Sequence, residues 1–144
     1  MLYIGADHNG YWLKEELKSY LQRNKITVKD CGAFKHKKDD DFPDYAVAVG
    51  RSLKGEDLGI LICRTGHGMA IAANKLKGIR AALATSVYLA TKAREEDFAN
   101  ILVLSSEETS VDRAKRIVAA FLRAKPQRIE RRLRRLAKIK RLER

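Results

Sequence analysis

Short apolar runs alternate along this chain with amphipathic stretches of helical period. The strongest run covers residues 58–62 and is apolar throughout, as a strand is when both faces of a parallel sheet are covered. Weaker runs of the same kind lie at residues 2–5, 26–28, 79–83 and 101–104. Strands that alternate with helices indicate βαβ units, so we expect a parallel sheet with helices on both faces.

Apolar residues at helical spacing predict the helices between these strands. They are Leu13, Leu17, Tyr20 and Leu21; Tyr45, Val49 and Leu53; and Val111, Ala114, Val118, Phe121 and Leu122. Further helices are predicted near residues 69–75 and 88–94, and a polar loop covers residues 35–41, before Pro43. The prediction is one domain, residues 1–144, with a three-layer α/β/α, Rossmann-like open sheet of about five parallel strands. Ligands of such sheets bind at the carboxyl ends of the strands.

The net charge of +12 is concentrated at the C-terminus, where residues 125–144 hold ten Lys or Arg against two Glu. Residues 126–144 are predicted to form a basic amphipathic helix. Its apolar stripe consists of Ile129, Leu133, Leu136, Ile139 and Leu142. Such a segment is suited to nucleic acid, a phosphorylated ligand or an acidic partner, or it is simply a solvated helix face. Because residues 126–144 contain no aromatic side chain to stack on bases, nucleic acid is the weakest of these choices.

Other features exclude several classes of protein. No apolar run approaches the roughly 20 residues that cross a bilayer, and the N-terminus lacks the pattern of a signal peptide, so we expect a cytoplasmic protein without membrane contact. Cys31 and Cys63 do not make a disulfide framework, and no His/Cys cluster has metal-ligand spacing. No cofactor or metal is therefore expected.

Asp7 and His8 follow the first predicted strand, in the segment Gly5-Ala6-Asp7-His8-Asn9-Gly10. At the carboxyl end of a strand, the carboxylate can hold sugar hydroxyls and the imidazole can meet a phosphate. The alternative is a helix N-cap by Asp7 or Asn9 beside a surface histidine. Both interpretations remain open from the residues alone.

A glycine-rich segment follows the strongest strand: Cys63-Arg64-Thr65-Gly66-His67-Gly68-Met69-Ala70. Successive N–H groups at a helix start bind anions, and a cysteine in that electropositive setting is favoured as thiolate. The thiolate would serve in nucleophilic attack or in proton abstraction, whereas the alternative is a buried apolar cysteine that ends a strand. The segment lacks the Lys-Ser/Thr ending of a nucleoside-triphosphate loop and the three-glycine spacing of a dinucleotide site.

Together these segments resemble ribose-5-phosphate isomerase type B and the related galactose-6-phosphate isomerase subunits. The resemblance also includes Asp41-Phe42-Pro43-Asp44-Tyr45-Ala46, and Ala72-Ala73-Asn74-Lys75 followed by Gly78-Ile79-Arg80. It implies an aldose–ketose isomerase that works through an enediolate and forms a homodimer or a larger oligomer with its sites between subunits. Ribose 5-phosphate would be the first choice of substrate and a hexose 6-phosphate the second.

The resemblance also implies roles for single residues. Cys63 would be the base, and Thr65 would assist proton transfer between the substrate oxygens. Asp7 would orient sugar hydroxyls, and His8 would help bind phosphate, as would Arg128 and Arg132. The loop residues expected to contact substrate, chiefly by backbone N–H groups that stabilise the enediolate, are Gly66, His67, Gly68, Met69 and Ala70.

Five positions depart from the family pattern. Glu96 and Asp97 stand where the family has His-Asn, the histidine of which opens the sugar ring across the subunit interface. Glu107 replaces an arginine, Arg64 replaces a glycine, and Ile129 replaces a histidine. Three accounts follow: Glu96 is the ring-opening acid, with Asp97 beside it at the substrate; His67 supplies the proton; or a different subunit completes the site. A non-catalytic sugar-phosphate-binding protein is the remaining alternative.

Overall fold

The computed structural model describes residues 1–143. Five strands form one parallel sheet: β1 (Leu2–Ala6), β2 (Val28–Asp30), β3 (Leu58–Cys63), β4 (Ala81–Leu83) and β5 (Ile101–Ser105). Their order in the sheet is β2-β1-β3-β5-β4. Cys63 pairs with Ser105, and Ala6 with Ile62, so the ends of the three central strands lie at one edge. We call this the carboxyl edge and the opposite one the amino edge. The predicted fold class is confirmed.

Six helices complete the fold: α1 (Tyr11–Arg23), α2 (Phe42–Ser52), α3 (His67–Ala73), α4 (Val87–Asp97), α5 (Val111–Arg123) and α6 (Glu130–Lys140). Alternate residues of each central strand face opposite layers. Ile60, Ile62 and Leu102 pack with α1, α4 and α5, whereas Leu61 and Cys63 pack with α2 and α3. Both faces of β3 are thereby buried, which explains its uninterrupted apolar sequence.

Element boundaries differ from the sequence-based prediction at several ends. The second strand covers Val28–Asp30 and not residues 26–28, because Ile26 donates its N–H to the Leu21 carbonyl and closes the end of α1. The fourth strand begins at Ala81, because the N–H of Ile79 is bonded to Leu76 in a turn. Helix α3 begins at His67, two residues earlier than predicted.

The basic C-terminal segment is helical over a shorter range than residues 126–144. Helix α6 begins only at Glu130, because the N–H of Gln127 bonds to the Glu95 carbonyl in the segment that crosses the end of α4. Arg144, the last residue of the predicted helix, lies outside the described residues. Four residues of the predicted apolar stripe are exposed: Ile129, Leu133, Ile139 and Leu142.

Helix α1 is fixed to the sheet by a buried ion pair. The ammonium of Lys14, whose side chain is 0% exposed, lies 2.8 and 2.7 Å from the two Asp30 carboxylate oxygens and 2.7 Å from the Ala33 carbonyl. Lys18 adds a bond of 2.7 Å to Asp30, which also accepts the N–H of Gly32. This network holds the chain after β2 beside the end of β1, where Ala33 donates its N–H to the Ala6 carbonyl.

None of the helices within residues 1–143 is long and apolar enough to cross a membrane.

Replacing Lys14 by Met should lower the free energy of unfolding by about 3 kcal/mol, the low end for a broken buried pair, because Lys18 still faces Asp30. Urea denaturation measures this change. The matched control is Lys29→Met at an exposed position, for which we expect a change within about 0.5 kcal/mol. Equal losses in both variants would show that the Lys14 pair does not stabilise the fold.

Asp30 should make the protein labile to acid. Burial alone would raise its pKa, but hydrogen bonds from Lys14, Lys18 and the Gly32 N–H outweigh burial, so the pKa lies below the ordinary 3.8. A depressed carboxyl pKa contributes stability that is present above 3.8 and is lost as the pH falls through the folded-state value. Urea midpoints measured as the pH is lowered should fall more steeply for the unaltered protein than for Asp30→Asn. Parallel curves would contradict this assignment.

Candidate active site

The carboxyl edge gathers the first group of predicted residues. The N–H of Asp7 donates to the Ile62 carbonyl over 3.3 Å, which places the Asp7–Gly10 turn beside the residue that precedes Cys63. Gly10 lies so close to Ile62 that a Cβ there would meet its carbonyl oxygen at 2.5 Å. The segments that contain Asp7, His8, Cys63 and Thr65 are therefore neighbours, as predicted for two strands that end at the same edge.

Cys63 is the last residue of β3 and is 5% exposed. Its carbonyl accepts the N–H of Ser106, and the next carbonyl, that of Arg64, accepts the Ser105 hydroxyl at 2.7 Å and the Glu107 N–H at 3.1 Å. These bonds from the end of β5 fix the backbone on which the thiol is carried. Two departures from the family pattern, Arg64 and Glu107, are thus neighbours on the carboxyl edge.

Glycines shape the loop between β3 and α3. Gly66 has a φ of +84°, and a Cβ there would lie 2.5 Å from the Leu83 side chain. A Cβ on Gly68 would lie 2.6 Å from the Phe42 ring, so only glycine lets the ring cover this loop. The loop is consequently held close between β4 and the start of α2.

Helix α3 leaves backbone donors free at its start. Its first internal bond runs from the Ala70 N–H to the Gly66 carbonyl, so the N–H groups of His67, Gly68 and Met69 have no acceptor within the helix. The N–H of Ala70, which was among the predicted anion-binding donors, is therefore already bonded to the Gly66 carbonyl. The Met69 side chain is buried in the core, and the His67 side chain is exposed.

Asp7 is 4% exposed and holds the turn before α1. One of its carboxylate oxygens accepts the Gly10 N–H at 3.0 Å. The N-cap residue of α1 is Gly10, which has no side chain, so neither Asp7 nor Asn9 is the N-cap that the alternative interpretation required.

His8 is held by a carboxylate that the sequence did not single out. The Asp40 Oδ1 atom lies 2.6 Å from the His8 Nδ1 and 3.1 Å from the His8 backbone nitrogen. The Tyr45 hydroxyl donates to Asp40 Oδ2 at 2.9 Å. Asp40 belongs to a run of three aspartates, and a run of like residues gives no basis for choosing the one that faces His8.

The charge states of Asp40 and Tyr45 follow from the hydrogen bonds around them. Burial alone would raise the pKa of Asp40, but the bonds from His8 and Tyr45 outweigh it and hold that pKa below its ordinary value. Burial, together with the Asp40 carboxylate, raises the pKa of Tyr45 to about 12. An ionised Asp40 is thus paired with a Tyr45 that keeps its proton.

Asp7, His8 and Asp40 are three potential metal ligands whose donor atoms lie within 4.8 Å of one another. Within residues 1–143 they are the one such group. Because Asp40 and the His8 Nδ1 are already bonded to each other, the geometry favours a hydrogen-bonded network over a metal centre.

The remaining predicted residues lie at the amino edge of the same chain. Helix α4 starts beyond the carboxyl end of β4 and runs back, so Glu96 and Asp97 stand where β5 begins. Four residues of β5 separate this edge from the level of Cys63, a distance of about 13 Å. One chain therefore does not bring Glu96 or Asp97 to its own Cys63.

Arg132 is buried against Glu96. Its guanidinium lies 3.0 Å from the Glu96 Oε1 and also bonds to the Gln127 side chain, while Lys92 lies 3.7 Å from the same Glu96 oxygen. Arg128 is exposed in the segment before α6. A cleft of about 640 Å³ opens next to this group; its lining includes Lys77, Arg80, Asp97, Ile139 and Leu142.

Comparison with known proteins gives one consistent result. A family model described as Ribose/Galactose Isomerase matches residues 2–139. The chain is 38% identical to ribose-5-phosphate isomerase B of Mycobacterium tuberculosis, over 97% of this chain and 90% of that one. It is 41% identical to a probable ribose-5-phosphate isomerase B of Mycoplasma genitalium, over 85% of this chain and 83% of that one.

Solved structures agree with these relatives. Ribose-5-phosphate isomerase B of Mycoplasma genitalium, with bound ribulose-5-phosphate, superposes with a TM-score of 0.93 at 40% identity and covers 98% of this chain and 94% of its own. The enzyme from Thermotoga maritima gives a TM-score of 0.92 at 39% identity and covers 97% of each chain. With its fold and nearly its whole length matched, this chain belongs to the ribose/galactose isomerase family.

Proposed function

We propose that the protein interconverts ribose 5-phosphate and ribulose 5-phosphate. The observation that carries this is the placement of Cys63, Thr65 and the free N–H groups of α3 on one loop beside Asp7. Relatives of nearly the same length are ribose-5-phosphate isomerases, and one of them was solved with ribulose-5-phosphate bound. An aldose–ketose isomerase needs a base at the carbons and donors at the oxygens, and this loop has both.

The reaction proceeds through an enediolate. The Cys63 thiolate removes the proton from C2 of the open-chain aldose, the electron pair forms the C1–C2 double bond, and the proton is returned to C1. Thr65 passes a proton between the two oxygens. The N–H groups of His67, Gly68 and Met69 stabilise the negative charge as it develops, which is more effective than binding the neutral sugar. Asp7 orients the sugar hydroxyls from the neighbouring strand.

A second copy of the chain would complete the site. Glu96, Asp97, Arg128 and Arg132 belong to the amino edge, so they reach substrate only if the amino edge of one copy meets the carboxyl edge of another. Exposed apolar side chains supply a surface for such contact; they include Ile71, Tyr88, Leu133 and Leu142. In this arrangement, Arg128 and Arg132 of one subunit bind the phosphate of a sugar held by the other.

A different subunit is the second candidate for the partner. It is favoured by the carboxylates at Glu96 and Glu107, where the family has a histidine and an arginine. The cysteine-bearing subunit of galactose-6-phosphate isomerase resembles this chain in having glutamates in the segment that contains Glu96. Turnover of ribose 5-phosphate by the purified chain alone would exclude the need for a second chain type.

Replacing Cys63 by Ala should lower kcat/KM for ribose 5-phosphate by about a thousandfold or more, because the base is lost. The rate at which ribulose 5-phosphate forms gives this kcat/KM. The matched control is Cys31→Ala, a half-buried thiol near Ser52 whose pKa is raised by burial, and it should retain activity. Normal turnover in Cys63→Ala would overturn the mechanism.

Mixing two inactive variants tests the shared site. Cys63→Ala damages the carboxyl edge and Arg132→Ala the amino edge, so a mixed dimer has one intact site out of two. After unfolding and refolding together at equal concentration, the mixture should regain about a quarter of the normal activity, since half of the dimers are mixed. If each variant is inactive alone and the mixture stays inactive, the two residues act in the same site of one chain.

A further inference from the structure

The surroundings of His8 are those of a group that carries protons. An ionised carboxylate only accepts hydrogen bonds, so the proton between His8 and Asp40 resides on Nδ1, at 2.6 Å. The second ring nitrogen, Nε2, then presents a lone pair, and the Asn9 amide lies 3.1 Å from it. A carboxylate that fixes the tautomer and stabilises the imidazolium is the arrangement that makes a histidine an effective acid–base group.

Asp40 is itself held in place by further hydrogen bonds. It accepts the His8 backbone N–H as well as the ring N–H, and its second oxygen accepts the Tyr45 hydroxyl. The Asp40 side chain is 5% exposed and the His8 side chain 25% exposed, so the ring is anchored on one side and open on the other. A histidine needed only for its charge would not require three bonds to its partner carboxylate.

Glu96, which occupies the position of the family's ring-opening histidine, has opposite surroundings. Its carboxylate lies 3.0 Å from the Arg132 guanidinium and 3.7 Å from the Lys92 ammonium. The Glu96 carboxylate is thus already engaged by two cations of its own chain. The His67 side chain is exposed and has no hydrogen bond to a carboxylate among those of the described residues.

We propose that His8, positioned by Asp40, opens the furanose ring of the sugar phosphate before Cys63 acts. This inference rests on the proposed function. The Nε2 atom takes the proton of the C1 hydroxyl as the C1 carbonyl forms and the bond between C1 and the ring oxygen breaks. The same proton then passes from Nε2 to that oxygen, which becomes the C4 hydroxyl. No proton or electron is gained or lost in the step.

The proposed position of His8 near the phosphate would also place it near the ring oxygen of the substrate. The ring oxygen is attached to C4, and C4 also carries C5 with its phosphate. A histidine beside the phosphate is therefore also beside the ring oxygen. The phosphate-binding role that the resemblance implies for His8 and the proton-carrying role make different predictions, because only the second depends on whether the sugar is cyclic.

Net turnover and proton exchange separate these roles. Ribulose 5-phosphate has no ring to open, because its C5 oxygen is esterified. In His8→Gln, kcat/KM for ribose 5-phosphate should fall by about a hundredfold or more, the size of a lost acid–base contribution. The equilibrium constant ties net turnover of ribulose 5-phosphate to the same loss, but the exchange of its C1 proton with deuterated solvent needs no ring and should change by less than about threefold.

Asp40→Asn provides a second variant, and it carries the test alone if His8→Gln does not fold. Its net turnover of ribose 5-phosphate should fall by about tenfold or more, while the exchange of the C1 proton of ribulose 5-phosphate is retained. Nitrogen NMR of the His8 ring should show the proton on Nδ1 in the unaltered protein and a mixture of tautomers in Asp40→Asn. The matched control is Asp39→Asn, the exposed neighbouring aspartate, which should leave both directions and the NMR signals unchanged.

Each failure has a distinct signature. An unaltered protein that turns over neither sugar would refute the proposed function. Parallel losses of net turnover and of C1-proton exchange in His8→Gln or Asp40→Asn would refute ring opening by His8 and leave the isomerase intact. A loss of net turnover with C1-proton exchange retained in Glu96→Gln or His67→Gln, but not in His8→Gln, would assign the step to that other residue.

Discussion

The parallel pairing of β1, β3 and β5 is the constraint on which the rest of this protein depends. Because the three strands run in the same direction and in register, Ala6, Cys63 and Ser105 end at one edge. The turn that carries Asp7 and His8 and the loop that carries Cys63 and Thr65 are therefore built side by side. The same pairing puts the end of α4, with Glu96 and Asp97, at the other edge. The residues proposed for the site thus lie in one chain as two groups that do not face each other.

Packing and polar bonds make these edges rigid. Leu61 and Cys63 are buried against α2 and α3, whereas Ile60 and Ile62 are buried against α1 and α5. The Lys14–Asp30 pair fixes the chain after β2 next to the end of β1. From there the chain leads to Asp40, which bonds to His8. A buried ion pair far from the thiol in sequence thereby supports the placement of a histidine beside it.

The departures from the family pattern become easier to interpret in this setting. Glu96 is an ion-pair partner of Arg132, so its carboxylate is engaged with cations. Arg64 and Glu107 are backbone neighbours at the carboxyl edge, so the loss of an arginine at one position is accompanied by the gain of one beside it. The His8–Asp40–Tyr45 network lies at the edge where the thiol is, and this placement underlies the role proposed for His8.

The sequence alone determined the sheet, the edge at which the segments of Asp7 and Cys63 meet, and the loop around Cys63. These depend on local signals: an apolar run long enough for a buried strand, glycines where a side chain would not fit, and helical spacing between strands. Tertiary structure decided what local patterns do not contain. Whether strand two begins at Ile26 or Val28, which aspartate of residues 39–41 holds His8, and which arginine binds Glu96 depend on contacts between residues distant in sequence. Such contacts are selected by the geometry of the whole fold, because each residue type involved would fit several partners equally well.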